Sequence, residues 1–179
     1  MCGQYYYDSS TFKNRQIKNQ VKMSPGQPIP VYLYYQGKII LTKLTWGYSL
    51  STMKDLIINA KSETLLEKKL FHDDFLKRRC IIAAKGFYQK DTSNHRISFE
   101  SETAQTNYMA GIYNGHEVTI ITTSANEIMQ SIHPRMPLMI PKGDVKTWLT
   151  NQEEAIKLLK YKNNHLKIVS GHYQQSLFE

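Results

Sequence analysis

The sequence predicts an α+β fold: a single β-rich domain over residues 1–179, with a strongly curved, barrel-like antiparallel sheet core and a few peripheral helices. Short runs rich in Ile, Val, Thr and Tyr recur along the chain, and a few turn-forming residues separate many of them, which is typical of consecutive strands. A length of 179 residues with 41% hydrophobic residues suits one domain with a substantial core. No repeat or linker divides the chain.

The predicted strands are, in chain order, PVYLYY, KIILTKLTW, CIIAAKGFYQ, HRISFE, YMAGIY, EVTIITT, RMPLMI and LKIVS. Three helical regions interrupt them: a short helix near 71–79, another at about 125–132, and a longer region across 143–162 that forms one or two segments. In that region Ala155, Leu158 and Leu159 share a face at the spacing i, i+3 and i+4, which is typical of an amphipathic helix.

The chain is basic, with 23 Lys and Arg against 15 Asp and Glu, and a net charge of +8 attracts polyanions. The basic residues are dispersed rather than gathered on one helix face, which favours a nucleic-acid groove over a membrane surface. No run approaches the ~18 apolar residues of a membrane span, and the first residues lack the pattern of a signal peptide. We expect a cytoplasmic monomer that associates with the nucleoid when bound to DNA.

The two cysteines, Cys2 and Cys80, are too few for a zinc site or a disulfide framework, so we expect no metal and no organic cofactor. Cys80 lies in the apolar run RRCIIAA, which predicts a buried structural thiol.

Cys2 follows Met1 directly. Once Met1 is removed, Cys2 carries an amine and a thiol on adjacent carbons. The amine, with an ordinary pKa near ~8, can form a Schiff base with an aldehyde, and the thiolate can then close a thiazolidine ring.

Eight short blocks follow one another along the chain: MCG at the start, PGQPIPV at 25–31, WG at 46–47, NAKSET at 59–64, RRCIIAAKGFYQ at 78–89, AGIY at 110–113, TIITTSAN at 119–126 and IHPRMP at 132–137. In this order they resemble the SRAP (SOS response-associated peptidase) family of abasic-site processing proteins. The resemblance implies that Cys2 bonds covalently to the ring-opened sugar of an abasic site in single-stranded DNA and shields the lesion during the DNA damage response. It also implies autoproteolytic and lyase-like activity.

The resemblance assigns catalytic roles to Cys2, Asn59, Gln89 and His133. His133 matches the family's histidine, whose ordinary pKa suits proton transfer near neutral pH. Asn59 matches an asparagine that hydrogen-bonds near the cysteine and the sugar. Gln89 stands where related sequences carry glutamate, and an amide keeps the hydrogen-bonding shape but transfers no proton. We therefore expect slower crosslinking, or slower reversal, with DNA binding largely kept.

The residues predicted to contact DNA are Trp46, Lys61, Tyr88, Thr123, Ser124, Arg135 and Met136. Arg135 is the best candidate for a phosphate ligand and Lys61 the second, although the family has arginine where Gln4 and Lys61 stand and tryptophan at Lys90. Single-stranded DNA is usually held by basic residues with aromatic or apolar platforms for its bases. Trp46 and Tyr88 are equally plausible as core residues, and Thr123 and Ser124 either bind phosphate or end a strand.

Two other functions stay open at this point. A Cys/His hydrolase would use Cys2 as a thiolate and His133 as its base, and would need no free amine. A binding module would hold single-stranded DNA without covalent chemistry, in keeping with the neutral Gln89.

Overall fold

The computed structural model describes residues 3–9, 20–103 and 106–171. Its strands are β1 (Gln4–Asp8), β2 (Gln20–Met23), β3 (Pro28–Tyr35), β4 (Lys38–Trp46), β5 (Asn59–Lys61), β6 (Arg79–Ala84), β7 (Gly86–Lys90), β8 (Arg96–Ser101), β9 (Asn107–Asn114), β10 (Glu117–Ser124), β11 (Arg135–Pro137) and β12 (Leu166–Gly171). Its α-helices are α1 (Lys69–Lys77), α2 (Glu127–Gln130), α3 (Val145–Thr150) and α4 (Gln152–Leu158). Short 3₁₀ turns lie at Ser62–Thr64 and Lys142–Asp144.

The larger sheet closes into a barrel. Strands β4, β3, β6, β9 and β10 follow one another, and β10 pairs again with β4 to complete the ring. The closing contact joins Glu117 to Thr45 and Val118 to Trp46 in parallel register, whereas the other pairings in the ring are antiparallel. The barrel-like core predicted from the sequence is confirmed, with one parallel closure that the sequence did not predict.

The smaller sheet has the strand order β12-β8-β7-β1-β2 and covers the barrel. Its inner face packs on the barrel, and Tyr6 and Ser98 on the outer face are buried as well. Tyr5, Phe87 and Phe99 face the barrel and join one hydrophobic cluster with Trp46 of β4. The rings of Tyr5 and Trp46 lie 5.6 Å apart, so this cluster fastens the two sheets together.

The predicted run CIIAAKGFYQ is one continuous stretch in the sequence but two strands in the structure. It breaks at Lys85, where the chain leaves the barrel and enters the smaller sheet, and Lys85 N–H donates to Tyr6 O at 2.8 Å. Glycine is needed at position 86, because a Cβ there would collide with the Tyr6 ring and the Phe99 carbonyl. The run RMPLMI is a strand only over Arg135–Pro137, and β1, β2 and β5 lie outside the predicted runs.

The helices agree with the sequence prediction, including the division of the last region into α3 and α4.

Cys80 is fully buried, and burial raises the pKa of its thiol well above the usual range, which confirms the prediction of a structural cysteine. Over the described ranges, no helix is long and apolar enough to cross a membrane.

Candidate functional site

The strands that carry three blocks of the sequence pattern meet at one edge of the barrel. Strand β10 runs between β5 and β11, so that Thr122 is the register partner of both Lys61 and Pro137. Asn59 begins β5 opposite Ile120 and is half-buried. This junction therefore brings together Asn59, Lys61 and the loop that leads into β11.

His133 lies in that loop, half-buried, and its imidazole is held by the backbone of the next strand. Its Nδ1 atom is 3.0 Å from the amide nitrogen of Arg135 and 3.1 Å from the Arg135 carbonyl oxygen. The neutral ring makes one of these two contacts at Nδ1: it accepts from the N–H when the ring proton is on Nε2, and it donates to the carbonyl oxygen when the ring proton is on Nδ1. Burial lowers the pKa of His133 from its ordinary value of 6.5, which favours this neutral form.

Arg135 spans the junction and is held by the protein itself. Its guanidinium donates two hydrogen bonds to the carboxylate of Glu63, at 2.6 and 2.9 Å, and it also donates to Thr122 O at 2.6 Å. The pairing keeps the pKa of Glu63 below its usual range, chiefly through the hydrogen bonds from Arg135. The Nε atom of Arg135 is buried with no hydrogen-bond partner among the described residues. A phosphate that binds Arg135 must therefore compete with Glu63, which the sequence did not reveal.

Two of the residues predicted as platforms for bases lie in the core instead. Trp46 is fully buried, and its Nε1–H donates to the carbonyl oxygen of Ile58 at 3.0 Å. Ile58 is the residue directly before Asn59 in the chain. Met136 is 1% exposed. Neither side chain presents a surface to a nucleotide, so we reassign Trp46 to positioning the start of β5 and Met136 to core packing.

Of the two hydroxyl residues, Thr123 is buried and Ser124 is half-buried at the end of β10. Both pair with β11, Thr123 opposite Met136 and Ser124 opposite Arg135. Ser124 thus remains at the rim of the junction, whereas Thr123 lies within the sheet. Lys61 is exposed on β5, as a phosphate ligand would need to be.

Gln89 and Tyr88 lie on β7 of the smaller sheet. Gln89 is 2% exposed on the side that faces the barrel, whereas Tyr88 is half-buried on the opposite side. Strand β1 pairs with β7 through Gln4 and Tyr88, so the described chain begins beside them. Cys2 and Met1 lie outside the described residues.

The residues that the sequence analysis missed are Glu63 and Thr122, the partners of Arg135. Glu63 is part of the block NAKSET, but nothing in the block indicates an arginine more than seventy residues away in the chain. Within the described ranges, no group of three or more His, Cys, Asp or Glu side chains is arranged to hold a metal ion.

Fold and site together define a small β-barrel protein with a half-buried, neutral histidine and a carboxylate-bound arginine at the edge of the barrel. The chain belongs to the SOS response associated peptidase (SRAP) family, whose model matches residues 1–171. This confirms the family predicted from the eight sequence blocks.

Several relatives carry the name "Abasic site processing protein". YoqW of Bacillus subtilis (strain 168) is 33% identical over 147 residues, which cover 71% of this chain and 65% of YoqW. YoaM of the same strain is 31% identical over 77% of this chain and 69% of YoaM. HMCES of Xenopus tropicalis is 27% identical over 67% of this chain and 49% of HMCES. The chain thus spans about two thirds of the bacterial relatives and about half of the vertebrate one.

Solved structures share the fold at low sequence identity. A protein from Bacteroides thetaiotaomicron matches with a TM-score of 0.75 and 16% identity, over 98% of this chain and 95% of that one. A phage-related protein from Bordetella bronchiseptica matches with a TM-score of 0.76 and 18% identity, over 94% and 93%. At these identities the likeness establishes the fold alone.

Proposed function

We propose that the protein recognises an abasic site in single-stranded DNA and links to it covalently through Cys2 after Met1 is removed, so that the lesion is shielded. The observation that carries this proposal is the setting of His133: the backbone of Arg135 holds its imidazole at the junction that includes Asn59, and burial lowers its pKa, which favours the neutral ring. Family membership and the abasic-site names of the relatives support the same substrate.

The chemistry requires two bond-forming steps. The α-amine of Cys2 adds to the aldehyde carbon of the open sugar, and loss of water from the carbinolamine leaves a Schiff base. The thiol then adds across the C=N bond, with sulfur going to carbon and the proton to nitrogen, which closes the thiazolidine. A neutral imidazole can take the thiol proton as sulfur attacks the C=N carbon, and the imidazolium so formed can give that proton to the nitrogen.

Asn59 and Gln89 support the reaction without supplying charge. Asn59 offers an amide that can donate and accept, at the half-buried start of β5. Gln89 is buried, and as an amide it can orient the reacting groups but cannot offset the positive charge of an iminium intermediate. The proposal therefore includes slower crosslinking, or slower release, than a glutamate would give at that position.

A second candidate is a module that binds single-stranded DNA without a covalent bond. It is favoured by Gln89, a buried amide that keeps the hydrogen-bonding shape but transfers no proton. A third, the Cys/His hydrolase, needs the thiol of Cys2 but not its amine.

The test is incubation of the full chain with an abasic single-stranded oligonucleotide, followed by a denaturing gel, and intact mass establishes whether Met1 has been removed. We expect a shifted band from wild type and, without reduction, none from Cys2→Ala. Cys2→Ala and Cys2→Ser both keep the α-amine once Met1 is removed, so a band from either should appear only after borohydride reduction traps the Schiff base. Binding without any band would favour the second candidate. Chemical acetylation of the α-amine separates the third, because a thiol hydrolase would keep its activity and a crosslinker would lose its band.

A further inference from the structure

One face of the smaller sheet combines cations with a half-buried aromatic ring. Side chains that are cross-strand partners lie on the same face of a sheet. The register pairs Gln4 with Tyr88 and Lys90 with Arg96, and Tyr88 and Lys90 are two residues apart on β7. Lys22 is the partner of Tyr6, which is two residues from Gln4. We call this surface the cation–tyrosine patch: Gln4, Lys22, Tyr88, Lys90 and Arg96.

The ring of Tyr88 is the centre of the patch. The guanidinium carbon of Arg96 lies 4.7 Å from the ring centroid and Nζ of Lys22 lies 5.9 Å from it, both within the range of cation–π contact. Arg96 Nη1 also donates to Oε1 of Gln4 at 3.1 Å. Arg96 is exposed, and Tyr88 is half-buried against the Tyr6 ring at 5.0 Å. These contacts place the guanidinium of Arg96 over the half-buried ring of Tyr88.

Charge on this face of the sheet is separated along the strands. The carboxylate of Glu100 lies in the cross-strand row of Lys22 and Tyr6, two rows from Lys90 and Arg96, and Asp8 lies one row further away. Lys85 Nζ is 3.6 Å from Asp8 and 4.0 Å from Glu100, and the Tyr6 hydroxyl donates to Glu100 at 2.9 Å. Over residues 3–9, 20–103 and 106–171, no carboxylate lies within 4.0 Å of the charged groups of the three patch cations, which are Lys22, Lys90 and Arg96. The patch therefore keeps a net positive charge, whereas Arg135 is neutralised by Glu63.

We propose that the cation–tyrosine patch is a second contact for single-stranded DNA: Tyr88 stacks on a base that flanks the lesion, while Arg96 and Lys22 bind the neighbouring phosphates. Basic groups beside an aromatic platform are the combination by which proteins hold single strands. The patch also contains Gln4, which only Gly3 separates from Cys2 in the chain. This inference rests on the proposed function for its ligand, single-stranded DNA, and it does not depend on the covalent step.

The test measures the affinity for a single-stranded oligonucleotide without an abasic site, by fluorescence anisotropy over a series of salt concentrations. Each phosphate contact on a single strand contributes about 0.7 to the slope of log K against log salt. We expect Arg96→Gln and Lys22→Gln each to flatten the slope by about 0.7, and Lys146→Gln to leave it unchanged. Lys146 is the matched control because it removes the same charge from an exposed position on α3.

Tyr88→Leu tests the stacking separately and should weaken binding about fivefold or more, whereas Tyr88→Phe keeps the ring and should bind as wild type does. Thermal unfolding of all five variants checks that they are folded. Slopes for Arg96→Gln and Lys22→Gln that match the Lys146→Gln control would overturn the proposal, as would an absence of binding by wild type. If the wild-type protein binds the oligonucleotide but forms no band on the denaturing gel, the covalent function is contradicted. The salt slopes of the variants still decide whether the cation–tyrosine patch binds DNA.

Discussion

The backbone of Arg135 holds the imidazole of His133 at two points, with Nδ1 at 3.0 Å from the amide nitrogen and 3.1 Å from the carbonyl oxygen. In the neutral ring the tautomer decides whether the amide donates to Nδ1 or Nδ1–H donates to the carbonyl oxygen. Protonation makes Nδ1 a donor in every molecule, so the imidazolium is held by the carbonyl oxygen alone.

This arrangement predicts a particular pH dependence for crosslinking. Burial lowers the pKa of His133 below 6.5, so the active neutral form should accumulate as pH rises through a value under 6.5. The plot of crosslinking rate against pH should therefore rise in two limbs, a lower one from His133 and a higher one, near pH ~8, from the α-amine of Cys2. Rates of band formation between pH 4.5 and 9 should show both limbs. His133→Gln should remove only the lower limb and slow the reaction about 10²-fold or more. A lower limb that survives in His133→Gln would assign it to another group.

The pairing of Arg135 with Glu63 predicts a variant that binds DNA better. Glu63→Gln removes the competing carboxylate, so Arg135 becomes available to a phosphate, and the salt slope should steepen by about 0.7. Arg135→Gln should weaken binding in either background. Because the Glu63 side chain is 48% exposed, we expect little change in the unfolding temperature. Unchanged affinity in Glu63→Gln, measured by anisotropy, would show that Arg135 binds no phosphate.

Gln89→Glu should restore a proton-transferring group at a buried position. Burial raises the pKa of a carboxyl group above its ordinary ~4.3, which brings it closer to working pH. We expect crosslinking or release to become about tenfold faster, with unfolding free energy lower by about 1–3 kcal/mol. Single-turnover rates on an abasic oligonucleotide provide the measurement, with Gln89→Met as the variant that keeps the size but loses the amide. Equal rates for wild type and Gln89→Glu would remove this position from the mechanism.

Trp46→Phe should lower stability without lowering affinity for DNA. The substitution leaves the Ile58 carbonyl without the indole donor and opens a space in the core, at a cost of about 2–3 kcal/mol. Trp148→Phe is the matched control, because Trp148 is equally buried and donates to Cys80 O at 3.0 Å on another side of the barrel. Chemical denaturation and anisotropy together check both statements. A selective loss of DNA affinity in Trp46→Phe would return Trp46 to the binding surface.

Local patterns predicted most of the strands and the helices, because alternation and apolar runs depend on neighbouring residues. They did not reveal β5, which has three residues and takes its order from pairing with β10 rather than from its own composition. Nor did they reveal the parallel closure between β10 and β4, since that contact joins residues as distant as Thr45 and Glu117.

The same limit explains the uneven outcome at the site. The sequence blocks selected His133, Asn59 and Arg135 as candidate site residues, and the fold brings their strands to one junction. The blocks left the burial of Trp46 open and did not reveal that of Met136, because burial depends on which face of a strand meets the core. Arg96 also illustrates the limit. It belongs to no block, yet the fold places its guanidinium beside Gln4, where the family has an arginine.

Closure of the barrel by β10 also has a consequence for the order of events during synthesis. A growing chain contains Cys2 from the start, but His133 and the β11 residues that hold it are among the later residues to be added. Until then β10 has no β11 to pair with and the histidine has no Arg135 amide to orient it. A ribosome-bound fragment that ends before Arg135 therefore lacks the backbone groups that orient the imidazole of His133.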